Sequence, residues 1–212
     1  MFSAMPEGDA WDERRAGLDP RERRLYREIL LGFAGGSPPA RGALAASADE
    51  LELDLAATLA RLQALDLVQT DAATGEVAVA YPFSRRPTAH RLELPGGRQA
   101  YAMCAVDALG VAAMLASPVV VRSRDPVSGD DIVVEVPPEG EARWSPSETV
   151  VFLGARRGEQ SSAELCCPVV NFFASRETAT RYVGSDPGLA GAVVGVPEAL
   201  ARGRAIFGAA LR

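Results

Sequence analysis

The sequence predicts an α+β protein in which an N-terminal winged-helix-like three-helix module precedes a mixed β-sheet domain with flanking helices. Leucines recur at helical spacing in the first third of the chain, whereas short β-branched runs separated by turn residues fill the rest. The 212 residues are 48% hydrophobic, which is enough apolar material for a core. We therefore predict a flexible arm over residues 1–20, a winged-helix-like domain over 21–84 and an α+β domain over 85–212.

The N-terminal module is predicted from its helix signals. The segment "RERRLYREILLGFAGG", from Arg21, is typical of an amphipathic helix closed by glycines, and "ARGALAAS" indicates a second, shorter helix. Ser47 and Glu50 match the S-x-x-E capping box, which predicts a third helix reaching about Leu65. The segment "LVQTDAATGEVAVAYPF" predicts two short strands around a turn. Three helices and a hairpin form a winged-helix pattern.

A winged helix often binds DNA, but the charges of this module argue against that function. The third helix would face the phosphates, yet Asp49, Glu50, Glu52 and Asp54 surround its start, and Arg61 is the basic residue that follows. The net charge of −6 and the pI near 5.0 also disfavour a nucleic-acid partner. We therefore expect no nucleic acid, and we expect the module to be structural or to cover a substrate.

The second half of the chain is predicted to alternate strands with a few helices. "HRLELPGGRQAY" indicates a strand, a turn and the entry to a helix that holds Cys104, and "ELCCPVVNFFAS" indicates another apolar strand. Ser175 is a plausible N-cap for "RETATRYVG", and Pro197 suits the first turn of a terminal helix running to Arg212 after the strand "AGAVVGV". Further strands are predicted at residues 118–124, 131–136 and 149–153.

The sequence predicts a protein of the cytoplasm. Acidic residues follow Met1, with neither an apolar signal segment nor a basic transit peptide. The weakly charged run over residues 99–121 contains Asp107 and Pro118 and changes from helix formers to β-branched residues, so we predict a buried helix followed by a strand and no membrane partner. Three cysteines, two of them adjacent, make a poor disulfide framework.

Cys104 and Asp107 form the first candidate for chemistry. Positions i and i+3 share one face of a helix, so both side chains can point into one cavity. There a thiol can pass its proton to the carboxylate, which later acts as an acid. Burial raises the pKa of such an aspartate. The C-x-x-D spacing alone is a weak signal, since a buried cysteine with a capping or paired aspartate would also explain it.

The adjacent Cys166 and Cys167 form the second candidate. On the predicted strand their side chains point to opposite faces, so one of them can face a given pocket. Two converging thiolates suit a soft, two-coordinate metal ion. Packing residues or a vicinal disulfide are the alternatives. Zinc fits poorly, because a structural site requires four ligands and the single histidine, His90, has no partner at a ligand spacing.

Three motifs together resemble one known family. "RQAYAMCAVDALG", "ELCCPVVNFFAS" and "GLAGAVVGVPEALARGRAIF" occur in the order and spacing found in the organomercurial (alkylmercury) lyases. The resemblance extends over most of the chain. It implies an N-terminal winged-helix-like domain ahead of a mixed sheet domain, which is the catalytic domain. This is the same order that the pattern of helices and strands predicts.

The resemblance also implies a reaction and a set of site residues. Cys104 matches the first essential cysteine, Asp107 the essential aspartate and Cys166 the second essential cysteine, while Cys167 matches a dispensable neighbour. These residues would cleave a carbon–mercury bond by protonolysis, releasing a hydrocarbon and Hg(II) held by Cys104, Cys166 and Asp107. The implied partner is an organomercurial small molecule. No organic cofactor is implied, and external thiols or a mercuric reductase would remove the metal.

Several positions depart from the family pattern. Met103 stands where tryptophan is common, Asp125 or a neighbour replaces a structural cysteine, and Pro168 stands where a polar side chain often follows the cysteine pair. These changes spare the three chemical groups and alter the walls of the pocket. Two alternatives therefore stay open at this stage. One is a non-catalytic, thiol-based metal or effector binder, and the other is a family relative with different chemistry at the same site.

Overall fold

The computed structural model describes residues 8–156 and 162–211 and confirms an α+β fold. Its helices are α1 Gly8–Ala16, α2 Pro20–Ala34, α3 Arg41–Glu50, α4 Leu55–Ala64, α5 Ala105–Leu115, α6 Ser162–Leu165, α7 Arg176–Gly184 and α8 Val196–Phe207. Its strands are β1 Val68–Thr70, β2 Val77–Ala80, β3 Phe83–Ser84, β4 His90–Leu94, β5 Arg98–Ala102, β6 Val119–Arg124, β7 Asp131–Val136, β8 Arg143–Ser145, β9 Val150–Arg156, β10 Phe172–Phe173 and β11 Leu189–Gly195.

The strands form a large and a small antiparallel sheet within the described residues. The large sheet has the order β1-β2-β3-β5-β4-β6-β7-β8, and the small sheet has the order β10-β9-β11. Helices α2, α3 and α4 are followed by the β1–β2 hairpin in the predicted order. β2 pairs with β3 and β3 pairs with β5, so the hairpin that follows the N-terminal helices belongs to the same sheet as strands of the second half of the chain. The N-terminal module is thus built onto the strand that leads to Cys104.

The segment predicted as a loose arm contains helix α1 in its described part. Trp11 is buried, and its ring lies 5.3 Å from that of Tyr81 and 5.7 Å from that of Phe207. A tryptophan in this environment removes a large apolar surface from water, which outweighs the polar composition around it. The prediction of a flexible arm is therefore wrong for residues 8–20, while residues 1–7 lie outside the described residues.

The predicted capping box at Ser47 is also wrong. Ser47 lies inside α3, and the next helix is capped instead by Asp54, whose side chain accepts a hydrogen bond from Ala57 N at 2.8 Å. A turn with Glu52 in the left-handed region, at φ 54°, separates the two helices. A capping box does form at the start of α2, between Asp19 and Glu22. Short-range spacing alone did not distinguish these possible starts.

Several elements of the second half occur as predicted. Residues 99–121 form the end of β5, helix α5 and the start of β6, and none of the described helices is long and apolar enough to cross a bilayer. Ser175 caps α7 by accepting from Thr178 N, and Pro197 lies in the first turn of α8. The terminal helix ends at Phe207, earlier than predicted, and Arg212 lies outside the described residues.

Helices α5 and α8 are in backbone contact, which fixes the start of α5. A Cβ atom on Gly110 would lie 2.6 Å from Gly203 O, and one on Gly203 would lie 2.7 Å from Val106 O. Real side chains do not approach backbone this closely, so both positions require glycine. The α5 residues are almost all buried, since α8 covers one side and the large sheet the other. The N-terminal turn of α5, which carries the candidate site, is therefore packed between α8 and the large sheet.

Candidate active site

Cys104 lies at the junction of β5 and α5, where it is the N-cap residue of the helix. Its backbone is extended, with φ −151° and ψ 178°, and its Sγ accepts a hydrogen bond from Asp107 N at 3.5 Å. The prediction that Cys104 lies on the helix is therefore wrong by one position. The spacing of three residues still brings Cys104 and Asp107 together, because an N-cap side chain reaches back to the third residue of its helix.

Cys166 and Cys167 lie on a turn that follows the short helix α6. The backbone N–H groups of Cys166 and Cys167 both donate to Ser162 O, at 3.0 and 2.9 Å. The predicted strand is wrong at this pair, since β10 contains only Phe172–Phe173. Pro168 has no N–H group to donate, which disfavours a strand running through the cysteines. Because this segment is a turn, the alternation of side chains between faces does not apply to the pair.

The turn and the helix start bring two thiols and a carboxyl group together. The ligand atoms of Cys104, Asp107 and Cys167 all lie within 4.8 Å of one another. Cys167 Sγ donates to Asp107 Oδ2 at 3.7 Å, and Ala105 N donates to Val170 O at 3.0 Å, which joins the two segments. All three side chains are buried, with Cys104 at 0%, Asp107 at 4% and Cys167 at 5% exposure. The three cysteines are free thiols.

Cys166, which was predicted as the second site cysteine, lies beside this group and is not a member of it. It packs with Ala155 and Leu165 in a small apolar cluster and is 7% exposed. Burial raises the pKa of the Cys166 thiol to about 11, and the nearby charges of Cys104, Asp66 and Asp107 act in the same direction, while Arg202 opposes them. Cys166 is therefore within electrostatic range of the group.

The burial of the group favours the neutral form of each member. Burial raises the pKa of Asp107 from its ordinary value of 3.8 to about 7, although hydrogen bonds from Cys104 and Cys167 oppose the shift. Burial also raises the pKa of Cys104. A hydrogen bond with Cys104, together with burial, raises the pKa of Cys167 well above its ordinary range. Asp107 can thus gain or lose a proton near neutral pH, as a proton relay requires.

The pKa of Asp107 predicts a pH-dependent stability that Asp107→Asn removes. The folded protein holds this proton more tightly than the unfolded chain, so the stabilisation is fully present below about pH 4 and is lost as pH rises through about 7. We expect the free energy of unfolding of the wild type, minus that of D107N, to fall by roughly 1.4 kcal/mol per pH unit over most of this interval. Urea titrations at pH 4, 5, 6 and 7 measure it. A difference that is constant with pH would show that Asp107 keeps an ordinary pKa.

His90 takes no part in the site. It lies buried in β4, where Nδ1 is 3.0 Å from Ser123 Oγ and the ring packs edge-on against Phe172. Burial lowers the pKa of His90 to about 4. The cluster of possible metal ligands found among the described residues does not contain it. The structure therefore gives no support to a zinc site at His90.

Asp66 is a charged residue close to the site that the sequence patterns did not indicate. It follows α4, has a φ of 53° and accepts a hydrogen bond from Ser162 Oγ at 2.7 Å. Its charge contributes to the raised pKa of Asp107 and Cys166. A single acidic residue between a helix and a strand matches no motif, so no signal in the sequence could have revealed it.

Comparisons with known proteins place the sequence and the fold beside those of one family. The sequence model of the alkylmercury lyase family matches residues 83–208. The alkylmercury lyase of Staphylococcus epidermidis is 27% identical over 180 residues, which are 85% of this chain and 80% of the relative. That of Pseudomonas putida is 33% identical over 105 residues, 49% of each chain. A crystal structure of the mercury-bound form of MerB2 aligns with a TM-score of 0.77 at 21% identity, covering 97% of this chain and 98% of that one, and so shares the fold.

Proposed function

The chain belongs to the alkylmercury lyase family, and we propose that it cleaves the carbon–mercury bond of organomercurials by protonolysis at Cys104, Asp107 and Cys166. The products are a hydrocarbon and Hg(II). The observation that supports this most strongly is the buried group in which the thiols of Cys104 and Cys167 and the carboxyl group of Asp107 lie within 4.8 Å of one another, beside Cys166, with the pKa of Asp107 raised to about 7. Thiolates bind a soft metal, and the acid supplies the proton that the carbon receives.

Cys104 is the proposed capture residue. Its thiol loses its proton as the sulfur–mercury bond of R–Hg–S forms, and the Asp107 carboxylate is the adjacent acceptor for that proton. The hydrogen bond from Asp107 N to Cys104 Sγ, at 3.5 Å, stabilises the developing thiolate at the start of α5. The enclosed site keeps water away from the reacting carbon, which favours delivery of the proton by Asp107.

Cys166 is the proposed second thiolate, while Cys167 keeps its proton. Cys167 Sγ is engaged as a donor to Asp107 Oδ2, and its hydrogen bond with Cys104, together with burial, raises the pKa of the Cys167 thiol. Burial also raises the pKa of the Cys166 thiol, and the positive charge of Arg202 acts against that shift. A second sulfur on mercury raises the electron density on the bound carbon and makes that carbon basic.

Asp107 completes the reaction by protonating the carbon. The carbon–mercury bond breaks as its electron pair takes the proton, so R–Hg⁺ and two thiols give R–H, Hg(II) bound to two thiolates, and one H⁺. Of the two thiol protons, one reaches the hydrocarbon through Asp107 and the other leaves to solvent. The pKa of Asp107, raised by burial to about 7, suits a group that both accepts and donates in this sequence.

The two adjacent cysteines are expected to differ sharply when each is replaced. With phenylmercuric acetate and excess thiol, we expect C166A to lose at least about 100-fold in kcat/KM, because the mercury then lacks the second sulfur that makes the bound carbon basic. C167A should lose less than about tenfold, because it removes the hydrogen bonds of Cys167 with Asp107 and Cys104 and leaves the two proposed thiolates in place. Benzene release measured by gas chromatography gives both values. If C167A is inactive and C166A is active, Cys167 supplies the second thiolate.

We propose that the enzyme works in the cytoplasm without an organic cofactor. External thiols or a mercuric reductase then accept the product Hg(II). We also propose that the chain divides into a winged-helix-like module, residues 21–84, and a catalytic domain, residues 85–212. The module would cover the active site of the catalytic domain. The shared sheet and the contact between Asp66 and Ser162 support this covering role. The acidic residues around α4 support the absence of a nucleic-acid partner.

A further inference from the structure

We propose that Asp66 is a positioning residue that, through Ser162, holds the turn carrying Cys166 and Cys167 against the start of α5. Its kinetic consequences rest on the proposed function, whereas its effect on the cysteine turn does not. Asp66 touches none of the reacting groups in the structure, and it acts through a chain of hydrogen bonds. This role links the N-terminal helices to the chemistry of the second half.

The link runs through one serine. Asp66 Oδ2 accepts hydrogen bonds from Ser162 Oγ at 2.7 Å and from Ser162 N at 3.3 Å. The carbonyl oxygen of Ser162 then accepts from both Cys166 N and Cys167 N, at 3.0 and 2.9 Å. Helix α6 spans only Ser162–Leu165 and is too short to be stable by itself. The position of both cysteines therefore depends on the anchoring of Ser162 to Asp66.

Asp66 is itself fixed by contacts with other elements. Arg14 of α1 forms an ion pair with Oδ2 at 3.2 Å, and Arg14 also lies over the ring of Trp11 at 4.7 Å. Oδ1 accepts from Gln69 Nε2 at 3.1 Å and from Tyr81 Oη at 3.4 Å. The Asp66 side chain is only 18% exposed. A carboxylate bound on both oxygens in this way can fix the position of a segment that has little structure of its own.

Three variants separate positioning from a general loss of stability. D66N removes the charge, S162A removes the hydroxyl donor and keeps the carboxylate, and D71N is the matched control. Asp71 also accepts from backbone N–H groups, of Ala73 and Thr74, and also pairs with an arginine, but it lies in the exposed β1–β2 turn. Circular dichroism melting establishes that each variant is folded, and S162A decides the outcome if D66N is not.

The first measurement is kinetic. With phenylmercuric acetate, we expect kcat to fall at least about tenfold in D66N and severalfold in S162A, and to be unchanged in D71N, because small displacements of reacting groups are costly. A folded D66N with the kcat of the wild type would overturn the proposal.

The second measurement needs no lyase activity. Iodoacetamide alkylation followed by peptide mass spectrometry reports how tightly each cysteine is held. We expect Cys166 and Cys167 to be alkylated severalfold faster in D66N and S162A than in the wild type, with Cys104 unchanged and D71N like the wild type. Unchanged alkylation in D66N and S162A would overturn the proposal. If the wild type releases no benzene while the alkylation rates still differ, the proposed function fails and the positioning role stands.

Discussion

Replacing Asp107 with asparagine is expected to abolish hydrocarbon release while mercury binding is retained. Asparagine has nearly the same shape and can accept the hydrogen bond from Cys167 Sγ, but it cannot take up or deliver a proton. General acid–base catalysis contributes about 10² to 10⁴ in rate, so we expect D107N to lose at least about 10³-fold in kcat. The thiols of Cys104 and Cys166 remain to bind the metal.

Two assays on the same preparation test this expectation. Benzene formed from phenylmercuric acetate gives the rate, and mercury retained after gel filtration gives the binding stoichiometry. D71N, which changes an aspartate in the exposed β1–β2 turn, is the control and should match the wild type in both assays. A D107N protein that keeps more than about a tenth of the wild-type kcat would show that another group protonates the carbon.

The largest effect on stability is expected for Asp125→Ala. Asp125 is 1% exposed, and its carboxylate accepts hydrogen bonds from Val127 N at 2.7 Å, Ala174 N at 2.8 Å and Thr178 Oγ1 at 2.6 Å. It also accepts from Ser128 N at 3.2 Å. It thus joins the turn between β6 and β7 to the residues that follow the cysteine turn. Alanine would leave the buried donors of Ala174 and Thr178 without this acceptor, which should cost about 3 to 4 kcal/mol.

A neighbouring aspartate provides the control for this substitution. Asp130 lies in the same turn and is exposed, and its side chain accepts one hydrogen bond, from Ser128 Oγ at 2.8 Å. We expect D130A to change the free energy of unfolding by less than about 1 kcal/mol. Urea denaturation followed by circular dichroism measures both variants. Equal, small losses for D125A and D130A would contradict the structural role given to Asp125.

Local patterns predicted the fold where the determining contacts are local. Helix α2 was predicted from its apolar spacing and closing glycines, and its structure from Pro20 to Ala34 depends on the same residues. Helix α1 was not predicted, because Trp11 is buried by Tyr81 and Phe207, which are distant in sequence. The composition around Trp11 is polar, and only the tertiary partners of its ring explain why the segment is ordered.

The candidate site was predicted only in part, because some of its contacts are local in sequence and others are not. The spacing of Cys104 and Asp107 predicted their proximity, which an N-cap geometry produces as well as a shared helix face does. The sequence predicts a strand at Cys166 and Cys167, because the neighbouring residues are apolar. The hydrogen bonds from these cysteines to Ser162 O, which form the turn, cannot be inferred from the sequence. The role of Asp66 near the site could not be predicted for the same reason. Its partners are fixed by tertiary structure, and spacing does not encode them.

The most direct test of the central claim is to incubate the purified, reduced wild-type protein with phenylmercuric acetate and excess thiol in D₂O. We expect many turnovers per protein, equal amounts of benzene and Hg(II), and one deuterium in each benzene, since the proton delivered by Asp107 exchanges with solvent. Stoichiometric uptake of mercury without benzene would contradict the proposed lyase activity. The chain would then be a thiol-based metal binder on the fold of this family.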